Sequence, residues 1–349
     1  MTSMPAELHK ILAPLSGRSF LSTADFSQEE LNALLELAAL HKNGEVDPGR
    51  PLDGKAVALL FFNSSLRTRL SMMIATQQLG GNPIVLDVNK DLWGLEYREG
   101  VVMNEDKAEH IKEAAAVITR FADLLAVRCF PGMVDFEEDK REAVISAFAD
   151  HSSKPMVNME SATQHPFQSM ADMFTIREKL GTVKKKKVVL AWTWHPKALP
   201  MAVPNSFGLA ASQFGADLVI ASPPAYELDT DQVNEMRRQA ELSGGSVQIS
   251  HNLHEACKDA EVVYAKSWGG LQFYGNTAAD LEHRENFRNW IIDEAAMSHT
   301  NDGLFMHCLP VRRNVVVTDS VIDSPNSVVI DEAENRLHVQ KTILSVISS

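Results

Sequence analysis

The sequence predicts an α/β protein made of two doubly wound parallel-sheet domains. Three observations predict it. Apolar, strand-like runs alternate with amphipathic, helix-like segments along the chain, the order that builds parallel sheets covered by helices. About four such runs precede residue 160 and about five follow it, which suggests two similar units. The 349 residues, 45% hydrophobic and 23% charged, are enough for two ordinary cores.

The elements follow in order. Ser27 and Glu30 form a capping box ahead of the helical stretch "QEELNALLELAALHK". The first strand is "KAVALLFF" and the second "PIVLDV"; the helix "HIKEAAAVITRF" leads to the strands "DLLAVRCF" and "PMVNM". After the helix "QSMADMFTIREKL" come "KVVLAW", "DLVIAS", the helix "DQVNEMRRQAELS", then "SVQIS", "EVVYAK" and "LFMHC". The last helix, "EAENRLHVQKTILSVI", follows the completed second sheet and is expected to return to the first domain. The expected domains are 1–161 with 332–349, and 162–331, hinged near residues 160–180.

Composition narrows the function. A formal charge of −13 disfavours nucleic acid as a partner, because backbone binding needs a net basic surface. The run "KKKK" at 184–187 precedes a strand and reads as a solvated loop. Cys129, Cys257 and Cys308 show no metal-ligand or disulfide spacing, so no metal site is indicated and a reducing cytoplasm fits. The start "MTSMPAELHKILAPL" lacks a basic segment followed by an apolar core, and no stretch approaches the ~18 apolar residues of a membrane span. A soluble, cytoplasmic protein is expected.

In open parallel sheets, ligands bind at the carboxyl ends of strands. Polar loops sit at such ends here: "SSLRTR", Arg128, "MESATQHPFQ", "WTWHPK", "AKSW" and "HCLPVRR". Their convergence on one face would make an active-site cleft. Ser65, Leu66, Arg67, Thr68 and Arg69 are expected to open a helix, whose N–H groups and dipole favour an anion, with Arg67 and Thr68 as further donors. Alone, this stretch is equally an ordinary capped helix with surface arginines. No GxxxxGK[ST] loop and no GxGxxG follows a strand, so a nucleotide or a dinucleotide lacks its usual cradle. His165, before Pro166 and Gln168, stands where it could donate to a carbonyl oxygen; a His-Pro pair equally marks a rigid turn. Cys308 could act as a nucleophile, or its turn could offer backbone carbonyls to an amine.

Together, S-x-R-T-R, then H-P-x-Q followed by Ala171 and Asp172, then H-C-L-P, resemble the aspartate/ornithine carbamoyltransferase family, in order and over nearly the whole chain. The resemblance implies a carbamoyl phosphate domain, a second domain for an amine substrate, no cofactor, and a homotrimer with active sites at subunit interfaces. By position, Ser65, Leu66, Arg67 and Thr68 resemble the phosphate-binding loop. By the same resemblance, Arg128, His165, Pro166, Phe167 and Gln168 are expected around the carbamoyl group, with Arg336 as a further carbamoyl phosphate contact. Cys308 and Leu309 resemble the turn whose carbonyls position the attacking amine. Trp93 resembles a residue reaching into a neighbouring subunit's site. Ser64 stands where many relatives have proline, at a cost in rigidity. Arg128, Thr68 and His165 would stabilise the oxygen charge of a tetrahedral intermediate, and the departing phosphate could take the amine's proton.

The acceptor is read from charge. Ornithine carbamoyltransferases typically carry an aspartate for the α-ammonium and a Ser-Met-Gly loop where this chain reads "YAKSWGGLQ", with Lys266 in the aspartate's place. A lysine there repels an ammonium and attracts a carboxylate. Read without the family, it is an ordinary strand-end lysine. With the family, the reversal resembles the N-acylornithine branch, whose acceptor contacts fall on Glu160, His195, Lys266, Leu309 and Arg312. The acetyl branch has a glutamate before "EHI", where this chain has Ala108 preceded by Lys107, and can have a lysine at the place of Val316. Both differences point to N-succinyl-L-ornithine, with N-acetyl-L-ornithine as the alternative; Glu105 or Glu109 could fill the same space. An ornithine carbamoyltransferase and a non-catalytic binding protein on this scaffold are the remaining readings.

Overall fold

The computed structural model of the chain describes residues 4–349. Residues 1–3, the first of the stretch expected to carry no leader, lie outside the described residues. The chain forms two compact units: residues 1–131, 137–167 and 336–349, and residues 132–136 with 168–335.

The first unit holds β1 (Ala56–Phe61), β2 (Asn82–Asp87), the two-residue strands β3 (Leu95–Glu96) and β4 (Glu109–His110), β5 (Leu124–Arg128) and β6 (Met156–Glu160). Its main sheet has the order β2-β1-β5-β6 and is parallel throughout. β5 is buried along its length and β1 from Val57 onward, as expected of continuous apolar runs covered on both faces, whereas the edge strand β2 is only partly covered. The helix Ile111–Phe121 lays Ile111, Ala114 and Ala115 on the core that holds Leu60, Leu125, Val127 and Phe148. β3 and β4 have no sequence signal, because two residues are too few to show a period.

The capping box forms as expected. Ser27 Oγ accepts from Glu30 N–H at 3.1 Å, and Glu30 Oε2 accepts from Ser27 N–H at 2.7 Å, ahead of the helix Gln28–Lys42. The C-terminal helix, Val329–Ile347, returns its second half to the first unit. There His41 Nδ1 meets Thr342 Oγ1 at 2.8 Å, Gly17 N–H donates to Ile347 O at 2.9 Å and Lys55 Nζ to Ser348 O at 2.8 Å. The last two satisfy carbonyls that a helix end leaves without partners.

The second unit holds β7 (Lys187–Trp192), β8 (Asp217–Ala221), β9 (Ser246–Ser250), β10 (Val262–Lys266) and β11 (Leu304–Met306), in the parallel order β11-β10-β7-β8-β9. The lysine run is not all loop: Lys187 opens β7, and Lys185 and Lys186 pair with Asp217 at 3.2 Å and Glu261 at 2.7 Å. Among the described residues no helix is long and apolar enough to cross a membrane.

Candidate active site

Each sheet reverses its strand order once, and the crevice at that reversal is where an open α/β sheet binds ligands. In the first unit the reversal lies at β1 and β5, whose last residues Phe61 and Arg128 are register partners. The loop after β1 carries Ser65 and runs into the helix Arg67–Gln78. Ser65 Oγ accepts from Thr68 N–H at 3.2 Å, so one of the helix's leading donors is already used. Asn63 Oδ1 ties the two strand-end loops together by accepting from Phe130 N–H at 2.8 Å. Thr68 is buried, and its Oγ1 accepts from the Arg336 guanidinium at 2.6 Å. Because arginine has no acceptor, the Thr68 hydroxyl proton must point elsewhere.

Arg128 is buried against Glu160, which its guanidinium engages, and lies 4.6 Å over the Phe130 ring. Glu160 Oε2 is also 3.4 Å from His165 Nε2. Glu160, expected among the acceptor contacts, is thus grouped with Arg128 and His165 in the first unit. The turn that delivers His165 is clamped by Glu142, whose carboxylate accepts from Thr163 N–H at 2.7 Å, Ser161 Oγ at 2.7 Å and Ala162 N–H at 3.2 Å. Burial pushes the Glu142 carboxyl up despite these bonds. Pro166 and Phe167, both buried, open the helix Pro166–Leu180.

Trp93 and Ala108 form a separate group. Both are exposed, and their segments are tied by Ala108 N–H to Gly94 O at 3.0 Å and by the β3–β4 pairing. Leu66 is exposed too. Lys107, expected to add attraction near Ala108, has its ammonium 3.3 Å from Glu96 Oε2. Glu96 is buried and held well below the usual carboxylate range, chiefly by Arg98.

In the second unit the order reverses at β7 and β10, whose ends Trp192 and Lys266 are register partners. Thr193 N–H donates to Lys266 O at 3.1 Å, and Thr193 Oγ1 meets Ser267 Oγ at 3.1 Å. His195 follows β7, and its Nε2 lies 3.1 Å from Arg312 Nε. Burial lowers the His195 pKa to about 4, against the opposing Lys197 backbone bond, and Arg312, Lys266 and Arg284 push the same way as burial. The imidazole is therefore neutral at pH 7 beside these three cations. The Lys266 side chain makes no hydrogen bond or ion pair among the described residues.

Cys308 and Leu309 follow β11. Leu309 is left-handed, with φ 55, and its N–H donates to His307 Nδ1 at 2.8 Å. His307 N–H donates in turn to Glu332 Oε2 at 2.9 Å. The Gln168 amide donates to Asp172 Oδ1 at 2.8 Å and to Glu332 Oε1 at 3.0 Å. Burial, and then Asp172, push the Glu332 carboxyl well up. Gln168 is thereby coupled to the Cys308–Leu309 turn through a buried carboxyl pair. Sequence reading missed Glu332, Glu142 and Asn63. The first two lie in acidic runs that look like solvated surface, and an asparagine after a strand is an unremarkable loop residue.

Comparison with known proteins places the chain in a family. Residues 18–178 match the family described as aspartate/ornithine carbamoyltransferase, carbamoyl-P binding domain, and residues 188–347 match its Asp/Orn binding domain. The chain is 46% identical over 338 residues to N-acetylornithine carbamoyltransferase of Xanthomonas axonopodis pv. citri, covering 96% of this chain and 98% of that one. It is 43% identical over 282 residues to N-succinylornithine carbamoyltransferase of Bacteroides fragilis, covering 81% and 84%. A solved N-acetyl-L-ornithine transcarbamylase superposes with a TM-score of 0.92 at 46% identity, over 95% of this chain and 99% of the other. That protein is a glutamate-to-alanine mutant complexed with carbamyl phosphate and N-succinyl-L-norvaline. With both domain profiles matched in order, this chain belongs to the aspartate/ornithine carbamoyltransferase family and is an enzyme of the carbamoyltransferase class.

Proposed function

We propose that this enzyme moves the carbamoyl group of carbamoyl phosphate to the side-chain amine of an N-acylated ornithine, giving an N-acylcitrulline and phosphate. The first unit binds carbamoyl phosphate and the second binds the acceptor. The observation that carries the acceptor reading is Lys266 with neutral His195 and Arg312 at the β7–β10 reversal, a cationic group suited to a carboxylate and hostile to a free α-ammonium. Acylation of the α-amine removes that ammonium.

Arg67 and the first N–H groups of its helix hold the phosphate, with Arg336 beside them. Thr68, whose oxygen is occupied by Arg336, donates its proton to the carbamoyl oxygen, with Arg128 and His165 as further donors. Removing one such donor from an oxyanion site costs about 3 kcal/mol. Gln168 and the Cys308 and Leu309 carbonyls orient the carbamoyl NH₂ and the attacking amine. An alkylamine with a pKa near ~10 loses its proton to the departing phosphate.

N-succinyl-L-ornithine is the favoured acceptor. Ala108 is small and exposed where the acetyl branch has a glutamate, and Val316, at the place of a branch lysine, is buried. The succinylated ligand in a glutamate-to-alanine relative supports that reading. Lys107 contributes less than its charge suggests, being engaged by Glu96. N-acetyl-L-ornithine is the second reading, favoured by the 46% identity to enzymes acting under that name. A homotrimer accords with Trp93 at 73% exposure and with the apolar stripe Leu66, Leu70 and Ile74 on one helix face.

The test offers carbamoyl phosphate with ornithine, N-acetylornithine and N-succinylornithine in parallel and measures the ureido product. Robust citrulline formation from free ornithine would overturn the masked-amine reading. Higher kcat/KM for the acetyl than for the succinyl substrate would overturn the succinyl preference.

A further inference from the structure

In the second unit, Arg284 is fully buried on the short helix Thr277–Arg284 and faces an equally buried Asp280. Arg284 Nε donates to Asp280 Oδ1 at 2.8 Å. The opposite edge of the guanidinium points at a loop: Nη1 donates to His195 O at 3.0 Å and to Lys197 O at 2.9 Å. Asp280 reaches the loop after β10 by accepting from Gly270 N–H at 3.1 Å, and it also accepts from Tyr226 OH, in the loop after β8, at 3.1 Å. One ion pair thus joins the loops that follow β7 and β10, the two strands at the order reversal. A buried ion pair adds little net stability compared with apolar packing. Its value here is geometric, since a planar guanidinium fixes two carbonyls in one plane.

The Lys197 carbonyl also lies 3.0 Å from His195 Nδ1, while Lys197 N–H lies 3.1 Å from the same nitrogen. Only one of these is a hydrogen bond at a time, and the far side of the ring decides which. Arg312 Nε–H can only donate, so His195 Nε2, 3.1 Å away, must carry the lone pair. The ring proton is then on Nδ1 and is given to Lys197 O.

We propose that Arg284 and Asp280 are positioning residues for acceptor recognition. Arg284 holds the Lys197 carbonyl where it keeps His195 in the Nδ1–H form, and His195 Nε2 then fixes Arg312 by its Nε. The remaining Arg312 N–H groups are left aimed at the acceptor's carboxylate. The inference rests on the reading that the second unit binds an acylornithine.

Two measurements on the full-length enzyme test it. Arg284→Lys keeps the charge and loses the fork, and should raise KM for the acylornithine by about tenfold or more, as misplaced binding groups do, with KM for carbamoyl phosphate unchanged. Asp280→Asn should move the same constant in the same direction. Equal changes in both KM values, or none, would overturn the proposal. The second measurement is read on the unsubstituted enzyme, with His195→Asn used only to assign the signal: long-range ¹H–¹⁵N correlations of the histidine rings should show His195 protonated on Nδ1 and bare on Nε2. A ring protonated on Nε2 overturns it. Absence of any ureido product from N-acylornithines would instead defeat the acceptor reading and leave the tautomer result standing.

Discussion

Arg336 Nη2 donates to Thr68 Oγ1 at 2.6 Å across 268 positions of sequence, so the C-terminal helix turns a hydroxyl proton of the helix Arg67–Gln78 away from itself. Removing either partner therefore affects more than one contact. Thr68→Val should lower kcat by about 10²-fold or more, the loss of one oxyanion donor. Arg336→Ala should lower kcat and weaken carbamoyl phosphate binding together, because the guanidinium both orients Thr68 and adds positive charge. Single-turnover rates and carbamoyl phosphate titration check both; a Thr68→Val enzyme with normal kcat would remove Thr68 from the chemistry.

Ala108 is exposed on a segment pinned to Gly94. An added carboxylate there should repel a succinyl carboxylate while barely touching an acetyl group. Ala108→Glu is expected to depress kcat/KM for N-succinylornithine selectively. Equal loss with both acyl substrates would dissociate Ala108 from acyl choice.

Cys308 lies in a turn whose backbone is held by His307 and Glu332, and its assigned contribution is a carbonyl. Cys308→Ser should keep measurable activity, and intact-protein mass spectrometry during turnover should find no covalent adduct. An adduct on Cys308 would establish the nucleophilic alternative instead.

His41 is buried, and its pKa is lowered to about 4, first by burial and then by Lys341 and His338, with Asp47 opposing. Below the ordinary histidine value of about 6.5 the unfolded chain binds a proton that the folded one refuses, so stability falls as pH drops from there toward about 4. His195, lowered likewise, acts with the same sign. Melting curves between pH 7 and pH 5 should show a falling midpoint, and His41→Asn should flatten the slope. An unchanged slope in the variant would mean that His41 does not titrate this way.

Much of this was legible in the residues. Among the described residues the strands of the two main sheets fall where strand-like runs were found, most plainly β1, β5, β6, β7, β8 and β10, whose burial on both faces leaves a continuous apolar signature. The motif loops, the capping box and the returning helix are likewise readable, because each depends on local chemistry or chain order. Motif spacing also named the reaction class, and the proposed acceptor class is read from the sign of one residue, Lys266, in that family setting.

What the tertiary structure alone decided is partnership. Glu160 is paired with Arg128; Lys107 is held by Glu96; the Gln168 amide donates to Glu332; Arg284 and Asp280 bind two loops that follow different strands. Sequence periodicity reports whether a side chain is buried, not which distant segment meets it. In a sheet whose strand order differs from chain order, that meeting is fixed only when the strands pair.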